Sequence, residues 1–279
     1  MSAIPTLALN DALTLPAVGF GTYKLNGETG VEAMVSAIRN GYRLLDTAFN
    51  YNNEGAVGEA VRRSGVARAE LRVVSKLPGR SHRYIDAITA VEESLHRAGL
   101  DYFDLYLIHW PNPNRGLYVE AWRALIECRK RGLTRSIGVS NFLPEHLDRL
   151  IAETGVTPSV NQIELHPYFP QAEQRRADRE RGVLTQAWSP FMRANALFRE
   201  ETIVGIAARL GRTVAQTILR WHIQLGVVPL PKATSLERQI ENLALFDFAL
   251  SAEDMDAVAA LARPDGRLRG QDPVHYEEF

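Results

Sequence analysis

The sequence predicts an α/β chain folded as one (β/α)8 TIM barrel, with an N-terminal β-hairpin closing the barrel bottom. Two observations carry this expectation. Short apolar runs alternate with amphipathic stretches from residue 17 to the end of the 279-residue chain, the pattern of strands each followed by a helix. The turn after the first run, Gly19-Phe-Gly21-Thr-Tyr23, lacks a third glycine and has no clear acid about twenty residues on. An open doubly wound sheet would place its dinucleotide fingerprint there.

The elements follow in order. Leu7-Ala-Leu9-Asn10-Asp11-Ala-Leu13-Thr-Leu15 alternates on both sides of an Asn-Asp turn and reads as the hairpin. Strands are expected at 17–20, 42–46, 71–75, 103–108, 134–138, 159–163, 183–188 and 227–230. Helices are expected near 30–40, 54–64, 84–98, 117–131, 145–154, 172–181, 200–210 and 236–244, with two more at 213–224 and 252–262. No linker or low-complexity segment interrupts them, so residues 1–279 form a single domain.

Bulk properties exclude several classes. An apolar fraction of 46%, a charged fraction of 23% and a formal net charge of −1 describe an ordinary globular chain. They leave no electrostatic footprint for nucleic acid or a membrane surface. The arginines from Gln174 to Arg181 are interspersed with acids and read as a solvated helix face. The single cysteine, Cys128, cannot form an intrachain disulfide and lies in a helical pattern. No run approaches the roughly 18 apolar residues of a spanning helix. The expectation is a soluble, cytoplasmic protein.

In such barrels chemistry gathers where strands end. The strand ends here are Asp46, Lys76, His109, Ser140 with Asn141, Gln162, Trp188 and Lys232, and Tyr51 follows in the loop after the second strand. Each is ordinary alone: an acid caps a helix, a lysine pairs at a surface, a histidine is satisfied in a core. Together they make a coherent set. Lys76 paired to Asp46 is a fixed cation, and a cation beside Tyr51 favours phenolate and lowers its pKa from about 10. Tyr51 then serves as general acid in one direction and base in the other, with His109 orienting the substrate oxygen. No Gly-x-Ser-x-Gly elbow and no metal-ligand spacing is present, and His166 in Glu164-Leu-His166-Pro reads as structural. A tyrosine acid without metal or covalent nucleophile suits carbonyl reduction, with hydride from a cofactor.

The chain resembles the aldo-keto reductase superfamily along essentially its whole length. Gly41-Tyr-Arg-Leu-Leu-Asp46-Thr-Ala-Phe-Asn-Tyr51-Asn-Asn-Glu54-Gly-Ala-Val-Gly58 matches the first signature, and Arg135-Ser-Ile-Gly138-Val-Ser140-Asn141-Phe142 the second. Leu230-Pro-Lys232-Ala233-Thr-Ser-Leu-Glu-Arg238-Gln-Ile-Glu241-Asn242 nearly matches the third. The resemblance implies the tetrad Asp46, Tyr51, Lys76 and His109. It implies that Ser140, Asn141 and Gln162 hold the nicotinamide carboxamide, that Trp188 stands against the ring with Ser189 beside it, and that Lys232 and Arg238 grip the 2′-phosphate of NADPH. Glu241 and Asn242 fall near the adenine. Trp188 is similar to the 2,5-diketo-gluconate reductase branch. The family usually has a hydroxyl residue after the lysine, and this chain has Ala233, so NADPH is expected over NADH with narrowed discrimination.

Tyr23, Phe49, Asn50 and Trp110 are expected to wall the substrate site. Lys76-Leu77 continues into Pro78 where the family often has tryptophan, and the positive charge of Gly79-Arg80-Ser81-His82-Arg83 reads either as solvated loop charge or as suited to carboxylate-bearing carbonyls. The resemblance implies a monomer acting on short aldehydes, methylglyoxal or 2,5-diketo-gluconate. The closing segment offers Tyr276 and Phe279 as anchors over the site, with a frayed terminus as the default. A catalytically weak NADPH-binding sensor on the same barrel is the competing class, against which the intact tetrad stands.

Overall fold

A computed structural model describes residues 4–192 and 196–279. Strands β1 (Thr6–Ala8) and β2 (Thr14–Pro16) form an antiparallel hairpin. Eight further strands run parallel in one sheet: β3 (Phe20–Gly21), β4 (Leu44–Asp46), β5 (Arg72–Leu77), β6 (Phe103–Ile108), β7 (Thr134–Ser140), β8 (Val160–Glu164), β9 (Leu184–Trp188) and β10 (Val228–Pro229). Between and after them lie α1 (Gly27–Arg39), α2 (Glu54–Ser64), α3 (Tyr84–Ala98), α4 (Tyr118–Lys130), α5 (Pro144–Thr154), α6 (Ala172–Glu180), α7 (Glu201–Leu210), α8 (Val214–Gln224), α9 (Leu236–Glu241) and α10 (Ala252–Ala259). Neighbouring strands pair in sequence order, and the Gly19 and Gly21 amides donate to the Pro229 and Pro231 carbonyls, each at 3.0 Å. Those bonds join the first strand to the last and close the barrel.

The first and last barrel strands are shorter than the apolar runs at 17–20 and 227–230 suggest. Pro229 and Pro231 carry no N–H, so the ladder at that seam is limited to carbonyl acceptance. The helices fall where periodicity places them. Packing between them is close: a Cβ added to Gly58 of α2 would sit 1.7 Å from the Ala98 carbonyl at the end of α3. Only glycine allows those two helices to approach.

Strand periodicity positions the site. Leu44, Val74, Leu105, Leu107, Val160 and Val228 pack together in the barrel interior with Leu9 and Leu15 of the hairpin. Side chains two residues apart share a strand face. The parity that turns these leucines and valines inward therefore turns Asp46, Lys76, His109 and Gln162 inward as well, one step further along their strands. Tyr106, Ile108, Val73 and Leu45, of the other parity, belong instead to the larger core beneath the helices.

The hairpin closes the N-terminal end. Asn10 Nδ2 donates to the carbonyls of Pro158 and Gly182 at 2.9 and 3.2 Å, just ahead of β8 and β9. Ser136 Oγ donates to Asp11 Oδ2 at 2.6 Å, and Arg72 Nε to the Thr14 carbonyl at 3.0 Å. No helix among the described residues is long and apolar enough to cross a membrane.

Candidate active site

The C-terminal rim brings the four strand-end residues together. Lys76 is fully buried, and its Nζ donates to both Asp46 carboxylate oxygens at 2.8 and 2.7 Å and to the Thr47 carbonyl at 2.8 Å. Gln162 Nε2, reaching across the barrel, donates to Asp46 Oδ1 at 2.7 Å. Two buried charges thus hold each other, with neutral partners completing their shells, as a buried pair requires. The Tyr51 ring centroid lies 5.2 Å from Lys76 Nζ, 5.9 Å from the His109 ring and 5.0 Å from that of Tyr23.

Local chain geometry sets Tyr51 in place. It ends a short 3-10 turn, Phe49–Tyr51, followed by Asn52 in the left-handed region at φ 53°. Asn53 ties this loop to its neighbours: its Oδ1 accepts from Thr47 Oγ1 at 2.6 Å, and its Nδ2 donates to the carbonyls of Thr22 and Leu25 at 2.7 and 3.1 Å. Glu54, almost fully buried, accepts from Ser75 Oγ and from Arg97 Nε at 2.9 Å. The Arg97 guanidinium in turn stacks 3.8 Å from the Phe49 ring centroid. Asn53 and Glu54 sit inside the first signature, but no residue spacing says which carbonyl or guanidinium they hold.

The electrostatics differ from the expectation that Lys76 lowers the Tyr51 pKa. Burial raises Tyr51 well above the ordinary tyrosine value, and the charges of Asp46 and Glu278 push the same way. The Lys76 ammonium is held below its ordinary value by burial, with Asp46 working against that shift. Lys76 already has three acceptors in Asp46 and Thr47, so its charge is largely balanced before it reaches the phenol. Tyr51 is consequently a phenol at neutral pH, the form a proton donor needs.

The closing segment of the chain is part of the site and is not frayed. Glu278 Oε1 lies 2.7 Å from His109 Nδ1, a close approach without good N–H alignment. Its carboxylate also accepts from Asn50 Nδ2 at 2.9 Å and the Gly79 amide at 3.0 Å. Burial raises the Glu278 carboxyl, but His109, Asn50 and Gly79 together hold it below the usual glutamate value. Asn112 clamps the Glu278 backbone, donating to its carbonyl at 2.7 Å and accepting from its amide at 3.0 Å. Tyr276 packs on Trp110 with ring centroids 4.4 Å apart, as an anchor should. Phe279 is 81% exposed and anchors nothing. The carboxylate is the true anchor, and a lone acid near a terminus carries no sequence signal for that.

Tyr23, Phe49, Asn50 and Trp110, expected to wall a substrate site, lie around this region. Tyr23 stands edge-on to Tyr51, and Asn50 accepts from Arg80 Nη1 at 2.8 Å through Oδ1 while its amide holds Glu278. Arg80 thus reaches the rim; Arg83 is exposed ahead of α3. Below the segment lies His82, buried with neither ring nitrogen partnered and pushed down to about 4 by burial. Away from this site, His166 Nε2 meets Glu164 Oε1 at 2.9 Å, and Leu268 donates its amide to the same oxygen at 2.7 Å. That is the structural role expected of His166.

The residues assigned to a cofactor fall in two groups. Ser140 Oγ donates to the Gln162 carbonyl at 2.7 Å, Asn141 Nδ2 to the His109 carbonyl and Ser140 Oγ, each at 3.0 Å, and Trp188 Nε1 to Asn141 Oδ1 at 2.8 Å. Asn141 and Ser189 both take left-handed backbone, at φ 63° and 50°. The other group is the segment around α9. Lys232 and Arg238 are exposed, and neither forms an ion pair among the described residues. Gln239 fixes the segment, accepting from Ser36 and Asn40 at 2.8 and 2.9 Å and donating to the Ala33 carbonyl at 2.9 Å. Glu241 accepts from Thr213 Oγ1 at 2.5 Å. Asn242 is buried beside Tyr42 and does not share the exposed face of Lys232 and Arg238. Ala233 is buried, and Ser235 accepts from the Arg238 amide at 3.4 Å as the α9 cap.

A closed (β/α)8 barrel with a tyrosine and a buried Lys–Asp pair at its C-terminal rim defines an oxidoreductase of the carbonyl-reducing class. The aldo/keto reductase family model matches residues 17–263, and the chain belongs to that family. It is 52% identical over 279 residues, the whole of both chains, to 2,5-diketo-D-gluconic acid reductase B of Corynebacterium sp. (strain SHS752001). A variant of Gox0644 in complex with NADPH superposes with TM-score 0.94 at 39% identity, covering 99% of this chain and 100% of that one. A Bombyx mori aldo-keto reductase in complex with NADP gives TM-score 0.91 at 32% identity, covering 100% and 99%.

Proposed function

We propose that this protein reduces small aldehydes, 2-oxoaldehydes such as methylglyoxal, and keto acids resembling 2,5-diketo-D-gluconate to alcohols, with NADPH as cofactor. The observation that carries the reading is the buried Lys76–Asp46 pair beside Tyr51, with His109 on the same rim. Support for the cofactor comes from the exposed, unpaired Lys232 and Arg238, which suit a phosphate, and from the Ser140–Asn141–Gln162–Trp188 polar cluster beside the tetrad. When bound, the cofactor supplies the hydride.

The chain's own residues do the rest. His109 and the Tyr51 phenol polarise the carbonyl oxygen and orient its carbon. As charge develops on that oxygen, the Tyr51 O–H transfers its proton to it, giving the alcohol and a phenolate. Lys76 stabilises the phenolate, and Asp46 with Gln162 keeps the ammonium in position. NADPH is favoured over NADH by two cations, while buried Ala233 withholds the hydroxyl that would add to them.

Consumption of NADPH by purified protein over methylglyoxal, an aromatic aldehyde and 2,5-diketo-gluconate tests the reading. Turnover is expected on at least one of them. NADPH binding without turnover on any carbonyl overturns it in favour of a sensor.

A further inference from the structure

The tetrad needs a substrate oxygen within reach of His109 and Tyr51, and a carboxylate oxygen of the chain's own already lies against His109. Glu278 Oε1 sits 2.7 Å from His109 Nδ1, and the Glu278 charge bears directly on Tyr51. Glu278 is 8% exposed, and its carboxylate meets three separate rim loops: it accepts from Asn50 after β4 and Gly79 after β5, and lies against His109 after β6. Gly79 is shaped for this contact, since a Cβ there would lie 2.3 Å from the Glu278 carbonyl and as close to Asn112 Nδ2. Asn112, itself fully buried, holds the same backbone from both sides, and Glu277 Oε1 accepts from the Asn114 amide at 2.7 Å. The segment is therefore docked in the rim by a set of specific bonds, with its carboxylate against His109.

We propose that Glu278 is an internal ligand of the substrate site: its carboxylate occupies the place of the substrate's oxygen atoms, and residues 276–279 leave before a carbonyl binds. This rests on the carbonyl-reductase reading above. Its chemistry is an exchange. An incoming oxo acid takes over the donors that Glu278 releases at Gly79 and Asn50 and its place against His109, so the carboxylate's own contacts are replaced when the segment departs. A neutral aldehyde recovers only the contact to its carbonyl oxygen and leaves the remaining donors to water. Glu278 therefore sets a threshold that anionic carbonyl substrates cross most easily. Trp110 reports the event, because Tyr276 must come off its ring.

The test uses full-length protein with NADP+ present and butyrate as probe, a carboxylate with no carbonyl to reduce. Butyrate is expected to change tryptophan fluorescence, and the change should vanish in Trp110→Phe. Glu278→Gln removes the charge and one acceptor, so butyrate is expected to bind about tenfold more tightly, the order of one lost charge-assisted hydrogen bond. Asn112→Gly releases the backbone clamp while suiting the φ of 47° at that position, and is expected to shift affinity the same way. KM for a 2-oxo acid should fall in both variants. Unchanged or weaker butyrate binding in both variants would overturn the proposal, as would a lower kcat at unchanged KM in Glu278→Gln, which would make Glu278 a positioning residue for His109. The fluorescence and binding readouts do not need turnover, so a protein that reduces nothing still answers the question about Glu278.

Discussion

The two ends of the barrel are closed by opposite chemistry. At the N-terminal end, Leu9 and Leu15 of the hairpin join the inward leucines and valines of the strands, and backbone carbonyls satisfy Asn10. At the C-terminal end the closure is a carboxylate, an amide clamp and one aromatic contact. Apolar contact in a barrel floor has no competitor in solution. A carboxylate held by two donors and a histidine contact can be displaced by another carboxylate. The floor therefore stabilises, while the rim is built for exchange.

That contrast can be broken or sharpened by substitution. The largest effect is expected at the rim: Tyr51→Phe removes the proposed proton donor and should lower kcat by about 10²–10⁴-fold, with melting temperature and NADPH affinity little changed. Turnover surviving in that variant would assign the proton to another group. On the floor, Leu15→Ala should do the reverse. Leu15 is fully buried, and such a truncation costs about 2–5 kcal/mol, lowering Tm by at least roughly 5 °C while KM stays constant. A changed KM with unchanged Tm would erase the distinction between the two ends.

A smaller effect is expected from pH. His82, under the docked segment, and His222, on α8, are both pushed by burial from 6.5 down to about 4. Between those values the unfolded chain binds protons that the folded chain refuses, so stability is lost as pH falls through this window. Melting curves from pH 7 to 4 should show this slope, and His82→Leu should remove roughly half of it. An unaltered slope would mean that His82 takes up its proton in the folded protein. The smallest change is expected at the exposed Arg238: Arg238→Ala should raise Kd for NADPH about tenfold, the lower range of a charge-assisted bond, and leave Kd for NADH unchanged. Equal losses for both nucleotides would remove Arg238 from the 2′-phosphate.

Much of this molecule is legible in its order of residues. The alternation of apolar runs and helical stretches determines the barrel, because a strand face repeats every second residue and a helix face about every 3.6. The same parity carries Asp46, Lys76, His109 and Gln162 inward, so the site's membership follows from sequence as directly as the core does. The sign of the Tyr51 shift does not. It depends on how completely the phenol is buried and on Lys76 being balanced by Asp46 and Thr47, and both are sums over the three-dimensional surroundings. Nor does sequence join Glu278 to His109, 169 positions away by their numbering. Local pattern determines which face a side chain takes; only tertiary structure decides which distant charge it meets there, because Coulomb forces and desolvation act through space and not along the chain.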